Sequence, residues 1–139
     1  AALDLVRRTA RDVAGFFGRF DILLTATAAR PPLPLGELGL QKGERFQLGL
    51  LRALPLRALL MKAVGEMAKG PLAATPNTQL FNMTGQPAVS LPLHWNAGGL
   101  PIGTQWVARF GREDLLFRLA AQLETARPWA ARRPALVTA

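Results

Sequence analysis

Residues 77–109 read NTQLFNMTGQPAVSLPLHWNAGGLPIGTQWVAR, and the order of signals in this stretch decides the fold. Residues 78–83 are helix-compatible. Thr84-Gly85 is a stop, because glycine takes the left-handed conformation that ends helices at little steric cost. Pro87 blocks any continuation and biases Gln86 towards extended geometry. Residues 88–93 alternate, with Val89, Leu91 and Leu93 on one face and Ala88 and Ser90 on the other. Asn96, Ala97, Gly98 and Gly99 supply turn chemistry. Residues 102–109 form a second run rich in β-branched and aromatic side chains. The stretch is therefore a helix that stops, a strand, a tight reversal and a second strand, the two strands pairing as an antiparallel hairpin.

Working outward, Leu3, Val6, Ala10, Val13, Ala14 and Phe17 recur at helical spacing. Arg7, Arg8, Arg11 and Asp12 fill the other side, which predicts an amphipathic helix over 2–17 ended by Gly18. Residues 20–26 are apolar except Asp21 and read as a strand buried on both faces. Arg30-Pro31-Pro32-Leu33-Pro34 is extended by proline geometry and unable to join the middle of a sheet. A glycine-punctuated loop over 36–43 precedes two helices over 44–54 and 56–68, split by Pro55. Beyond the hairpin, Glu113 and Asp114 open a helix with the sign its dipole favours. Leu116, Leu119, Ala120 and Leu123 line one face of it, Pro128-Trp129 stops it, and an irregular tail follows from Ala130. The class is α/β.

The chain has 139 residues, half of them hydrophobic, enough for one domain with a real core. It has no cysteine, which removes a disulfide framework and thiolate metal sites. No signal peptide is visible, and the apolar runs are too short or too interrupted to span a bilayer. A soluble, cytoplasmic protein is the default expectation. Net charge is +8 and the isoelectric point about 11.6. The excess is mostly arginine, scattered along the chain, with a local cluster only at Arg127, Arg132 and Arg133. No nucleic-acid-binding pattern accompanies it, so neither nucleic acid nor membrane is expected as a partner. The chain opens at Ala1 directly into a helix, which suits a piece of a longer polypeptide.

Three segments together carry a family resemblance. FNMTGQPAVSLPL (81–93), GLPIGTQWVAR (99–109) and EDLLFRLAAQLETARPWAARRP (113–134) resemble, in order, the C-terminal end of amidase-signature enzymes, which cut linear amide C–N bonds with a Ser–Ser–Lys triad. FDILLTATAARPPLPLGELG (20–39) is similar to the family's earlier strand-and-proline segment. The match is weakest over 41–74. The resemblance implies part of the amidase-signature mixed β-sheet with flanking helices. It divides the chain into a helix, strand and Pro-rich loop (1–38), a variable helical segment (39–74), and a helix, hairpin and C-terminal helix (75–139), all within one C-terminal segment of an amidase domain.

A census of reactive side chains limits what the chain can do alone. It has one serine, Ser90, and one histidine, His94. They lie four residues apart on the same face of a strand, roughly 13 Å along it, beyond the reach that a nucleophile and its base require. Ser90 reads as a small residue in a packed sheet and His94 as a solvated strand end. One serine cannot supply two, so the family's triad is not encoded here. Lys42, Lys62 and Lys69 sit in the variable middle and match no catalytic lysine. A lone histidine with nine scattered carboxylates gives no metal-ligand spacing. The glycines of 98–103 join two strands rather than a strand and a helix, so neither a dinucleotide nor a phosphate loop is read there. No cofactor is expected.

The resemblance places the segment leading into Asn82-Met83-Thr84-Gly85 near the substrate pocket. Thr78, Asn82 and Gln86 are then the candidate substrate-binding residues. The structural alternative is that Asn82 caps a helix end and Gln86 satisfies a buried carbonyl. Thr75 stands about where amidotransferase members carry an acidic recognition residue, a departure that points to a general amidase acting on uncharged or apolar amides. The variable middle would then line the pocket entrance. Expected partners are a small-molecule amide and either the N-terminal portion of the same amidase or a second copy. Two other readings stay open: a non-catalytic amidase-like binding module, and a basic amphipathic protein for membranes or nucleic acid.

Overall fold

Proline and glycine set the ends of the elements that surround the candidate site. A computed structural model of the chain describes residues 2–34 and 72–133, with the single positions 43, 49, 61 and 65. Helix α1 spans Ala2–Phe16 and strand β1 Ile22–Ala26. Helix α2 spans Pro76–Thr84, strand β2 Ala88–Trp95, strand β3 Pro101–Ala108 and helix α3 Glu113–Ala126. The loop expected over 36–43 and the helices expected over 44–54 and 56–68 lie outside the described residues but for the single positions.

Pro76 opens α2, where its missing N–H costs no helical bond. Gly85 closes it at φ 82°, its N–H donating to the Phe81 carbonyl at 2.8 Å. A side chain at that angle would be strained, which is why glycine stands at this stop. The reversal between β2 and β3 is held by Asn96: its N–H donates to the Leu100 carbonyl at 3.0 Å and its Oδ1 accepts the Leu100 N–H at 2.9 Å.

The strands order as β1-β3-β2, both pairings antiparallel. Thr25, Gln105 and Ser90 form one cross-strand row, and Leu23, Val107 and Ala88 the next on the same face. Leu24, Trp106 and Val89 face the other way. α1 and α2 cover the first face. There Val107, fully buried, packs with Phe17 and Phe81, flanked by Val13, Phe16, Leu23 and Leu80. α3 packs on β2 and β3 through buried Leu116, beside Val89.

Three sequence expectations are corrected. β1 is not buried on both faces: Leu24 is 52% exposed, because β1 is an edge of the described sheet and only its Leu23 side meets helices. Leu3 and Ala14 belong to the α1 stripe but are exposed; Val6, Ala10 and Val13 are the half-buried members. Strict alternation would put His94 on the Ser90 side of β2. A β-bulge between Leu91 and His94 shifts the register, so Ser90 pairs with Gln105 while His94 pairs with Ile102, on opposite faces. Pro92 sits in the bulge, where the absence of a donor N–H breaks the ladder.

Among the described residues, no helix is long and apolar enough to cross a membrane.

Candidate substrate cleft between α2 and the sheet

Thr78 and Asn82 are four residues apart on α2, and so share one side of the helix. Gln86 follows directly on the Gly85 stop. The structure brings all three to a cleft of about 390 Å³ between α2 and the sheet. The sheet contributes Thr27, Ser90 and Gln105 to the same cleft, with Phe81, Ala88 and Val89 as its apolar lining. No lining side chain titrates in the ordinary pH range. The cleft is an arrangement of neutral hydroxyls and carboxamides.

Its back wall is tied together by hydrogen bonds. Gln105 is only 3% exposed, and its Nε2 donates to Thr25 Oγ1 at 3.2 Å and to the Asn77 carbonyl at 3.3 Å. Asn77 Nδ2 donates in turn to the Ala26 carbonyl at 2.7 Å. These bonds tie the first turn of α2 to β1 and β3. Thr78 Oγ1 donates to the Thr75 carbonyl at 3.1 Å, which spends its proton and leaves its lone pairs as acceptors. Asn82 is exposed, and its side chain makes no hydrogen bond among the described residues.

Gln86 is the buried member, at 8% exposure. Thr84 Oγ1 lies in hydrogen-bond contact with the Gln86 amide and with the Leu80 carbonyl. One hydroxyl proton serves one acceptor at a time. When it goes to Gln86 Oε1, the amide NH₂ is left for the cleft. When it goes to Leu80, the amide turns, its nitrogen donates to Thr84 Oγ1, and its oxygen is left instead. Either way one end of the Gln86 amide has no partner among the described residues. A carboxamide ligand, carrying both donor and acceptor, meets either state. The alternative role for Gln86, satisfying a buried carbonyl, is not what the bonds show.

Ser90 is exposed rather than packed away, and its Oγ lies 2.6 Å from Thr27 Oγ1. The His94 side chain makes no hydrogen bond among the described residues and lies on the opposite face from Ser90, so no base stands beside Ser90. Thr27 and Gln105 were not legible as cleft residues in the sequence, since their partners lie 63 and 28 residues away. The available signal was polar residues at period two, Thr25 and Thr27 on one run and Gln105 on another. Among the described residues, the displaced pKa values lie at the start of α3, across the sheet. The Arg112 hydrogen bond holds the Asp114 carboxyl down to about 2, and Arg112 is raised in return.

The sequence matches the family model "Amidase" over residues 1–117. The chain belongs to the Amidase family. The 6-aminohexanoate-cyclic-dimer hydrolase of Pseudomonas sp. (strain NK87) is 44% identical over 118 residues, 85% of this chain and 21% of that protein. The protein of the same name from Paenarthrobacter ureafaciens is 43% identical over 118 residues, with the same coverage. A solved 6-aminohexanoate cyclic dimer hydrolase complexed with substrate superposes with a TM-score of 0.76 at 40% identity, covering 96% of this chain and 25% of that one. A glutamyl-tRNA(Gln) amidotransferase structure from Thermotoga maritima, at 23% identity and a TM-score of 0.60 over 94% of this chain and 23% of that one, shares the fold. This amidase chain thus spans about a fifth of the length of the curated relatives it matches and corresponds to a C-terminal portion of them. Its antiparallel three-stranded sheet and flanking helices are an amidase-signature α/β substructure.

Proposed function

We propose that this chain builds one wall of the substrate pocket of an amidase that hydrolyses carbon–nitrogen bonds of amides through a serine acyl-enzyme. The serine oxygen attacks the amide carbonyl and the amine departs with a proton. Water then cleaves the ester, releasing the carboxylic acid and restoring the hydroxyl. Both serines and the lysine of such a triad come from parts of the polypeptide outside this segment, which carries a single serine with no base beside it. All 139 residues act as one segment of the amidase domain, in a cytoplasmic enzyme without a metal or cofactor.

Within this reading, Gln86, Asn82 and Thr78 bind the substrate amide. The observation that carries the assignment is the free end of the buried Gln86 amide at the cleft. Substrates are uncharged aliphatic amides. The name of the relatives, hydrolases of a 6-aminohexanoate cyclic dimer, supports aliphatic amides and extends the class to cyclic ones. Thr75, neutral and beside Arg30 and Leu33 on a second cleft, fits a general amidase better than an amidotransferase.

The test is steady-state kinetics on the complete polypeptide that contains this segment. Gln86→Leu removes one neutral hydrogen bond and should raise KM about tenfold with little change in kcat. An unchanged KM would remove Gln86 from the substrate site. A complete polypeptide that binds carboxamides without hydrolysing them would favour the second reading, a binding module, which the lack of catalytic groups in this segment supports.

A further inference from the structure

Two clefts open on the helix α2 side of the sheet, and Thr27 and Ser90 line both of them. The first is the polar cleft already described. The second, about 700 Å³, is walled mainly by Ala28, Ala29, Pro31, Leu33 and Ile102, with Arg30 and Thr75 also on its lining. The two residues common to both clefts are in contact, with Thr27 Oγ1 and Ser90 Oγ 2.6 Å apart.

Thr27 continues from β1 and Ser90 lies on β2, the two outer strands of the sheet, with β3 between them. Outer strands of a three-stranded sheet stand about 9.6 Å apart, twice the usual spacing. Two short side chains meet across that gap only where the middle strand offers nothing in the way. Thr27 stands opposite Gly103, one step beyond the Ala26–Thr104 pair, and its N–H donates to the Gly103 carbonyl at 3.0 Å. Gly103 lies beneath the pair, and a Cβ there would stand 2.6 Å from Ser90 Oγ and 2.8 Å from Thr27 Oγ1. Glycine at 103 is therefore a steric requirement of the pair rather than of the backbone angle.

We infer that the Thr27–Ser90 pair is a specificity divider: it separates the subsite for the substrate amide from an apolar subsite for the rest of an aliphatic substrate, and so sets how much chain is accepted. The inference rests on the amidase reading above. The polar cleft can satisfy a carboxamide by hydrogen bonds, whereas the second cleft offers hydrocarbon contact. An aliphatic amide has both needs in one molecule. A substrate reaching from one cleft to the other passes the hydroxyl pair, which yields or blocks. Each methylene that gains burial in the second cleft strengthens transition-state binding roughly fourfold.

The experiment uses the complete polypeptide and a series of primary carboxamides from propionamide to octanamide, with kcat/KM measured for each. Thr27→Ala and Ser90→Ala remove one hydroxyl without adding bulk. Each should raise the octanamide-to-propionamide ratio of kcat/KM at least fourfold, the worth of roughly one further buried methylene. Thr27→Ser keeps the hydroxyl and should retain the wild-type profile. A chain-length profile unchanged in both alanine variants would overturn the inference and leave the amidase reading intact. So would the same shift in Thr27→Ser, because the hydroxyl would then not be the divider. A wild-type polypeptide that hydrolyses neither a member of the series nor a cyclic aliphatic amide would instead overturn the amidase reading, and the divider with it.

Discussion

At the scale of single residues, the cleft depends on positions where chemistry and space are both specified. Gly103 shows the spatial half. Gly103→Ala inserts a methyl between two hydroxyls already in contact. Overpacking of this kind costs about 1–3 kcal/mol, to be read by denaturant unfolding of the complete protein; unchanged stability would mean the pair parts freely. Gln86 shows the chemical half, a buried amide with one end bonded to Thr84 and the other left over. Thr78, Asn82 and Gln86 were candidates only through the family resemblance, which places the segment leading into Gly85 near the substrate pocket. Ser90 was legible only as a small strand residue, because its hydroxyl contact with Thr27 spans 63 positions and exists only once the sheet is assembled.

At the scale of elements, local signals served well and long-range ones did not. Gly85, Pro76 and Asn96 end or reverse elements by their own geometry, so α2 and the hairpin were legible within a residue or two. Gly85→Ala forces a side chain into the left-handed region and against Phe110 Cε2 at 3.5 Å. It should destabilise by about 1–2 kcal/mol, measured by thermal or denaturant unfolding. The bulge at Pro92 was missed as such, although proline inside a strand is a warning of one. That miss placed His94 on the wrong face. The exposed Leu24 was misjudged because an apolar run does not reveal whether a strand ends up central or at an edge.

Helix α3 carries its own pH signature. Asp114 Oδ1 accepts from Arg112 Nε at 2.8 Å and Oδ2 from Arg118 Nη2 at 2.7 Å, at a helix N-terminus where negative charge is favoured. The carboxyl sits at about 2 instead of 3.8, chiefly through the Arg112 hydrogen bond. A lowered folded pKa means that the ionised form stabilises the fold above 3.8, and that this contribution is lost as pH falls through about 2. Asp114→Asn should therefore lower the melting temperature slightly at neutral pH, with the gap to wild type closing below pH 3.8. A gap that stays constant across that window would contradict the assignment.

At the scale of the whole molecule, the segment shows apolar surface and strand edges together. Phe110 and Phe117 are 73% and 75% exposed, and Leu24 is 52% exposed. β1 and β2 are the outer strands among the described residues. Unpaired edges and apolar patches recruit other chains. Expressed by itself, this segment should therefore associate with itself as concentration rises, whereas light scattering from a stable monomer would show that these surfaces need no cover. The sequence conveyed this tendency through its apolar strands, but not which side chains would carry it, since that depends on which face the helices occupy.

The most direct measurement is ammonia release from primary carboxamides by two purified proteins, the segment alone and the complete polypeptide that contains it. The account predicts turnover by the complete polypeptide and none by the segment. Ammonia release by the segment alone would contradict the claim that its cleft positions an amide for catalytic groups supplied from elsewhere in the chain.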